Sequence, residues 1–300
     1  MVSIEKLNGK NIGHFKILSE EAKKVMGYRL DFFMSYNEKS FLGKYVTRKL
    51  MNLIKYNDKY IGYVWIQYSS NKVIYIQDIY IKHEYISYIR DSITLLLRGN
   101  NFVYEVIENS YSKELVSLLG MTKVRETLLL NLDTRYPREK IDYKLNYRKF
   151  KINEDEKLRC KIQNRVFRNN IRVPITPNDI RYDEKQKYYL KDLCIFAMES
   201  NNPIGYGQII FNRGVYSVVN FGIVHEVRGK GYGKEFLNKL IDLAKENNIK
   251  EVNIRVDSSN KIARNLYEKV GFDEEGIFST WIRNYDKKHI QKQQKIHKYS

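Results

Sequence analysis

Three glycines at alternate positions, Gly229, Gly231 and Gly233, lie between a strand-like run and a helical one, and this V-R-G-K-G-Y-G stretch constrains the architecture more than any other. Upstream, L-C-I-F-A-M-E-S, N-N-P-I-G-Y-G-Q-I-I-F-N and V-Y-S-V-V-N-F-G-I-V are short apolar or alternating runs separated by turn residues, which predicts three sequential antiparallel strands. Downstream, Phe236, Leu237, Leu240, Ile241 and Ala244 recur at helical spacing, predicting a helix from about Lys234 to Glu246. V-N-I-R-V then predicts a strand, and Ile262 to Val270 a helix ended by Gly271 as a left-handed cap. Further back, Leu158 to Asn169 reads as a helix, Pro174 and Pro177 punctuate a loop, and a second helix is expected around Glu184 to Leu190. The order helix, helix, three strands, glycine loop, helix, strand, helix, strand is α+β with one βαβ crossover at the glycine loop.

A glycine-rich strand-to-helix turn is a place where anions bind. Unpaired amides at a helix N-terminus point outward, the helix dipole favours negative charge, and glycine lets a phosphate approach the backbone closely. Arg228, Lys230 and Lys234 add positive charge. The spacing is neither the dinucleotide G-x-G-x-x-G nor a P-loop, so a pyrophosphate seat competes with a plain structural turn.

V-H-E-V-R-G-K-G-Y-G followed by D-S-S-N-K-I-A-R-N-L-Y-E-K-V-G-F closely resembles the GNAT acetyltransferase superfamily, whose signature is [Q/R]-x-x-G-x-[G/A] with a downstream N-x-x-A-x-x-L-Y-x-x-x-G-F. The motifs cover about residues 203 to 275, and the strand pattern extends the match to roughly 143 to 285. The resemblance implies acetyl-coenzyme A as acetyl donor. Its contacts would come from Ile223, Val224, Arg228 and the stretch Gly229, Lys230, Gly231, Tyr232, Gly233 and Lys234, with Asn260 either touching the cofactor arm or capping a helix. Tyr267 matches the tyrosine that protonates the leaving thiolate in such enzymes, against the alternative that it packs a helix face. The strand before the glycine loop carries no carboxylate for a general base. Ser217 stands near where many relatives place a glutamate, so a water held by backbone and Ser217 or Asn220 is the expected base, and His225 and Glu226 at the loop edge are the weaker candidates.

The first half repeats the pattern in damaged form. I-G-Y-V-W-I-Q, K-V-I-Y-I-Q-D-I-Y-I-K-H-E and F-V-Y-E-V-I-E-N are strand-like, and Asn109 precedes Gly120 by the same interval as Asn260 precedes Gly271. Aligned with I-V-H-E-V-R-G-K-G-Y-G, however, I-K-H-E-Y-I-S-Y-I-R-D has no glycine, and Val116 stands where Tyr267 stands. The expected fold is therefore two tandem GNAT-like α+β domains, each a mixed, mostly antiparallel sheet flanked by helices. Residues 1–138 form a degenerate copy, 142–286 the acetyltransferase domain with the acetyl-coenzyme A site, and 287–300 a basic tail.

Composition excludes several other classes. Among 300 residues, 43% are hydrophobic, 25 are Tyr and 13 are Phe, which is globular rather than disordered usage. No apolar run approaches the ~18 residues that span a bilayer, and no signal-peptide stretch opens the chain, so a cytoplasmic protein without membrane contact is expected. Cys160 and Cys194 form no C-x-x-C, and the histidines show no metal-ligand spacing, so no metal is expected. The net charge of +18 divides as +6 before the candidate boundary and +12 after it. It raises the alternative of a nucleic-acid-associated protein or an RNA-modifying acetyltransferase, although a Lys-, Asn- and Ile-rich composition accounts for much of it without a nucleic-acid partner. The expected activity is N-acetylation of a primary amine by direct attack. The acceptor, a small-molecule amine or a protein amine, is left open, with an amino sugar or amino thiol as a rival, and a homodimer is compatible with the sequence. A second domain kept only for cofactor sensing is a further reading.

Overall fold

In the computed structural model, residues 2–27, 32–37, 39–69, 73–89, 101–138, 141–168, 172–212 and 214–283 are described. They group into two compact units, one of Met1–Thr127 with Gly276–Tyr285 and the other of Leu128–Glu275. The basic tail at 287–300, with His289 and His297, lies outside the described residues, as do positions 169–171 of the loop between the two helices of the second half.

Unit 1 builds its sheet from β1 (Val2–Lys6), β2 (Met51–Tyr56), β3 (Lys59–Tyr68), β4 (Val73–Ile81), β5 (Asn101–Ile107) and, last in this order, β12 (Asp273–Arg283). β4 and β5 run parallel and the neighbouring pairs antiparallel. Helix α1 (Ile12–Met26) buries Phe15, Leu18, Ala22 and Met26, spaced by three or four residues, against strand residues such as Tyr63. Helices α2 (Phe32–Asn37) and α3 (Phe41–Lys49) follow α1, and α4 (Ser110–Leu118) follows β5.

Unit 2 repeats this order. Its strands run β6 (Thr122–Asp133), β11 (Glu251–Asp257), β10 (Val215–Ile223), β9 (Asn202–Asn212), β8 (Tyr189–Glu199) and β7 (Asn146–Lys149) across the sheet, with β10 and β11 parallel. Helices α5 (Glu156–Val166) and α6 (Pro177–Glu184) cover one face, and α7 (Tyr232–Glu246) the other, where Phe236 and Leu240 lie against Gly207. Helix α8 (Lys261–Val270) ends at Gly271, whose φ of 103° is the expected left-handed cap.

Each half of the sequence gives its last strand to the other unit. The Leu128–Asp133 part of β6 belongs to unit 2, where Asn131 Nδ2 donates to Asn253 Oδ1 on β11 and Thr134 N–H donates to the Lys250 carbonyl at 2.9 Å. The Gly276–Arg283 part of β12 belongs to unit 1, pairing Phe278 to Arg283 with Ile107 to Phe102.

One helix departs from its sequence expectation. α6 covers Pro177–Glu184 rather than Glu184 to Leu190, and Tyr189 already begins β8. Pro177 takes the first helical position, where its missing N–H costs nothing, and Thr176 and Asp179 cap each other's backbone amides. The proline that reads as loop punctuation is the start of the helix.

Candidate functional site

The site is built where β10 parts from β11. Their parallel ladder holds only two pairs, Ser217 with Asn253 and Val218 with Ile254, although β10 continues to Ile223 and β11 to Asp257. A bulge between Val219 and Gly222 helps separate them, and Asn220 within it has φ 54°. The bulge turns Phe221 toward the α7 face, with its ring 5.4 Å from that of Phe236 and 6.3 Å from that of Tyr267. Gly222 faces α5, where a Cβ would overlap Val166.

Beyond β10 a short 3-10 turn, His225–Val227, leads into the glycine loop. Gly229 and Gly231 have φ of 85° and 84°, and an added Cβ at either would meet nothing within 4 Å, so the loop surface is open. Gly231 is the N-cap of α7 and, being glycine, brings no capping side chain of its own. Among the described residues no acceptor meets the amides of Gly229, Lys230, Gly231, Tyr232 or Gly233. A cluster of free N–H groups at the positive end of a fifteen-residue helix is chemically a seat for a phosphate or pyrophosphate. Lys234 is exposed beside it.

The charged side chains of the loop do different work from its amides. Arg228 turns back into the unit: its Nε donates to the Ile223 carbonyl at 3.1 Å and an Nη donates to the Val166 carbonyl, the C-terminal end of α5, at 3.0 Å. It therefore fixes the loop rather than presenting its guanidinium to an anion. Lys230 and Tyr232 converge on Glu199 at the end of β8, with the Tyr232 hydroxyl donating at 2.7 Å and the Lys230 ammonium 3.5 Å away. The Tyr232 hydrogen bond, and then Lys230, hold the Glu199 carboxyl below the usual range. Sequence reading did not single out Glu199, because a glutamate at a strand end carries no motif.

Tyr267 lies on α8, its ring buried against Phe221 and Phe272. Burial alone, with no hydrogen bond to a described residue contributing, pushes its hydroxyl pKa up to about 12. Ser217 is on the opposite sheet face, in line with Ile210 and Tyr189. Neither Ser217 nor Asn220 spends its side chain on a described partner, and both are half-buried. Asn260 caps α8, its Oδ1 accepting from the Ala263 amide at 3.2 Å, which is the capping alternative of the sequence reading. Ile223 and Val224 are buried at the end of β10, and the Val224 N–H donates to the Ile204 carbonyl at 2.8 Å, so the Ile223 N–H and C=O point away from β9 toward the parted side. His225 and Glu226 are exposed at the loop edge, where Glu226 pairs with Arg165. No group of three metal-binding side chains is assembled among the described residues.

Residues 164–272 match the acetyltransferase (GNAT) family model. The [ribosomal protein bS18]-alanine N-acetyltransferase of Haemophilus influenzae is 32% identical over 107 residues, covering 35% of this chain and 68% of that protein. The chain belongs to the GNAT family of acetyltransferases. The matched block holds the glycine loop, the capping asparagine and the tyrosine of α8. A GCN5-related N-acetyltransferase from Sphaerobacter thermophilus shares the fold, with a TM-score of 0.68 at 14% identity over 94% of this chain and 95% of that one. A tandem GNAT protein from the clavulanic acid biosynthesis pathway gives 0.64 at 8% identity over 94% and 98%. The matched segments span between 29% and 68% of the curated relatives' own lengths. No described helix is long and apolar enough to cross a membrane.

Proposed function

We propose that this GNAT protein transfers the acetyl group of acetyl-coenzyme A to a primary amine by direct attack, with unit 2 holding the donor. The observation that carries the reading is the open glycine loop, whose free amides lie at the uncapped start of α7 next to parted strands. Those amides fit the pyrophosphate, and the unpaired N–H of Ile223 beside the gap fits an amide-bearing arm. When bound, acetyl-coenzyme A supplies an acyl carbon activated as a thioester.

This chain's residues supply proton control. An attacking amine must be neutral, and with no carboxylate on β10 the proton goes to water held by backbone with Ser217 or Asn220, whose side chains are uncommitted. Tyr267, held neutral by burial, keeps a hydroxyl proton to share with the departing sulfur. Because a phenol at about 12 is a weaker acid than a thiol, it acts as a hydrogen-bond donor that stabilises the charge building on sulfur, and the thiolate then takes its proton from solvent.

The acceptor is sought with a panel of small amines, aminoglycosides and a peptide beginning with alanine, the last prompted by the Haemophilus relative. Free thiol release that depends on one of these acceptors supports the reading. A folded protein that neither binds acetyl-coenzyme A nor releases thiol with any of them refutes it.

A further inference from the structure

The two units differ at one residue in a way that bears on which of them can hold a ligand. Ile81 ends β4 as Ile223 ends β10, and the local hydrogen bonding is the same: Lys82 N–H donates to the Ile61 carbonyl at 2.8 Å, as Val224 N–H does to Ile204. Ile81 therefore also turns its N–H and C=O away from the antiparallel neighbour, toward the side where β4 and β5 part. Their parallel ladder ends at the Ile76–Tyr104 pair, while β4 runs on to Ile81.

In unit 1 that gap is filled from within. Tyr111, two residues after the capping Asn109, is buried, and its hydroxyl accepts from the Ile81 N–H at 2.8 Å and donates to the Ile81 carbonyl at 2.7 Å. One side chain thus satisfies both backbone groups. In unit 2 the position two residues after the capping Asn260 is Ile262, which is 86% exposed and leaves the Ile223 N–H without an acceptor among the described residues. The Ile223 carbonyl is met by Arg228 instead.

We propose that the residue two positions after the helix-capping asparagine decides whether each strand-end groove is open, Tyr111 closing the groove of unit 1 and Ile262 leaving that of unit 2 free for a ligand. In its ligand this rests on the reading that unit 2 holds acetyl-coenzyme A. The plug itself rests on the hydrogen bonds alone, and the two are separated by measuring them differently.

The test uses the full chain with Ile262→Tyr, Ile262→Phe and Tyr111→Phe. Because Ile262 is exposed, its replacements remove no packing, and circular dichroism checks the fold. Calorimetry with acetyl-coenzyme A should show binding weakened about tenfold or more by Ile262→Tyr and about two- to threefold by Ile262→Phe, since only the hydroxyl competes for the strand end. Amide hydrogen exchange without ligand should show the Ile223 N–H slowed in Ile262→Tyr and the Ile81 N–H quickened about tenfold in Tyr111→Phe. Unchanged exchange at Ile81 in folded Tyr111→Phe overturns the plug. Equal affinity in Ile262→Tyr and wild type, or equal losses with Tyr and Phe, overturns the role of Ile262. Failure of the wild type to bind acetyl-coenzyme A overturns the cofactor reading while leaving the exchange result to decide the plug.

Discussion

Gly231 shows how one residue's backbone conformation sets what a loop can do. At φ 84° an L side chain is strained by roughly 1 kcal/mol, which a folded unit tolerates, and the space beyond is open. Gly231→Asp is therefore expected to fold, while its carboxylate repels an anion seated on the loop amides and lowers acetyl-coenzyme A affinity roughly 10²-fold or more in calorimetry. Tyr267 is the complementary case, a packed ring with a free hydroxyl. Tyr267→Phe keeps the contacts with Phe221 and Phe272 and should lose roughly 10²-fold or more in turnover with binding unchanged, measured by thiol release and calorimetry. With its pKa at about 12, the hydroxyl stays protonated through neutral pH and should add no limb to the wild-type pH profile below about pH 10. The glycines and Tyr267 were legible because motif spacing and backbone demand coincide. The inward turn of Arg228 was not, because its acceptors, the carbonyls of Ile223 and Val166, are defined only once α5 lies against β10.

At the scale of elements, α5 and α6 are joined by a buried ion pair rather than by apolar packing alone. Arg159 is fully buried and donates to Asp183, which also accepts from the Tyr188 hydroxyl at 2.8 Å. Burial by itself would lower the Arg159 pKa, but Tyr206 and Asp183 more than reverse it, so the guanidinium stays charged. Asp183→Ala leaves that charge unmatched and should cost about 3–5 kcal/mol in denaturant unfolding. Glu184, next in the helix, has a buried oxygen with no partner among the described residues, and burial followed by repulsion from Glu156 raises its carboxyl pKa to about 7 from an ordinary 4.5. Between those values the folded chain holds a proton that the unfolded chain has released, so stability falls as pH rises across the window. Glu184→Gln should therefore be more stable than wild type above pH 7, by about 1 kcal/mol after allowing for solvent screening, with the difference gone below about pH 4. The three strands and the crossover helix were readable from periodicity. The start of α6 was hidden because T-P-N-D works both as a turn and as a capped helix entry, and the packing of Ile180 and Asp183 decides between them.

At the scale of the whole chain, sequence halves and compact units part company at one strand each. Periodicity marks Leu128–Asp133 and Gly276–Arg283 as strands but says nothing about which edge they join, since any unpaired strand edge offers the same N–H and C=O groups. The consequence falls on dissection. A fragment beginning at Asp142 lacks the β6 residues that flank β11, and keeps Phe278–Arg283 without the β5 they pair with. It carries two open edges, one of them ending in the apolar F-S-T-W-I run, and should aggregate or associate through strand addition. A fragment of residues 128–275 keeps every strand of unit 2 and sheds the orphaned one, so it should stay soluble, fold cooperatively and bind one acetyl-coenzyme A, as the intact chain should. Size-exclusion chromatography with light scattering, followed by calorimetry, compares them directly. A monomeric, fully active 142–300 fragment would show that the exchanged strand contributes nothing to the acetyltransferase unit, whereas rescue of solubility by restoring residues 128–141 assigns the defect to β6 and the chain that follows it.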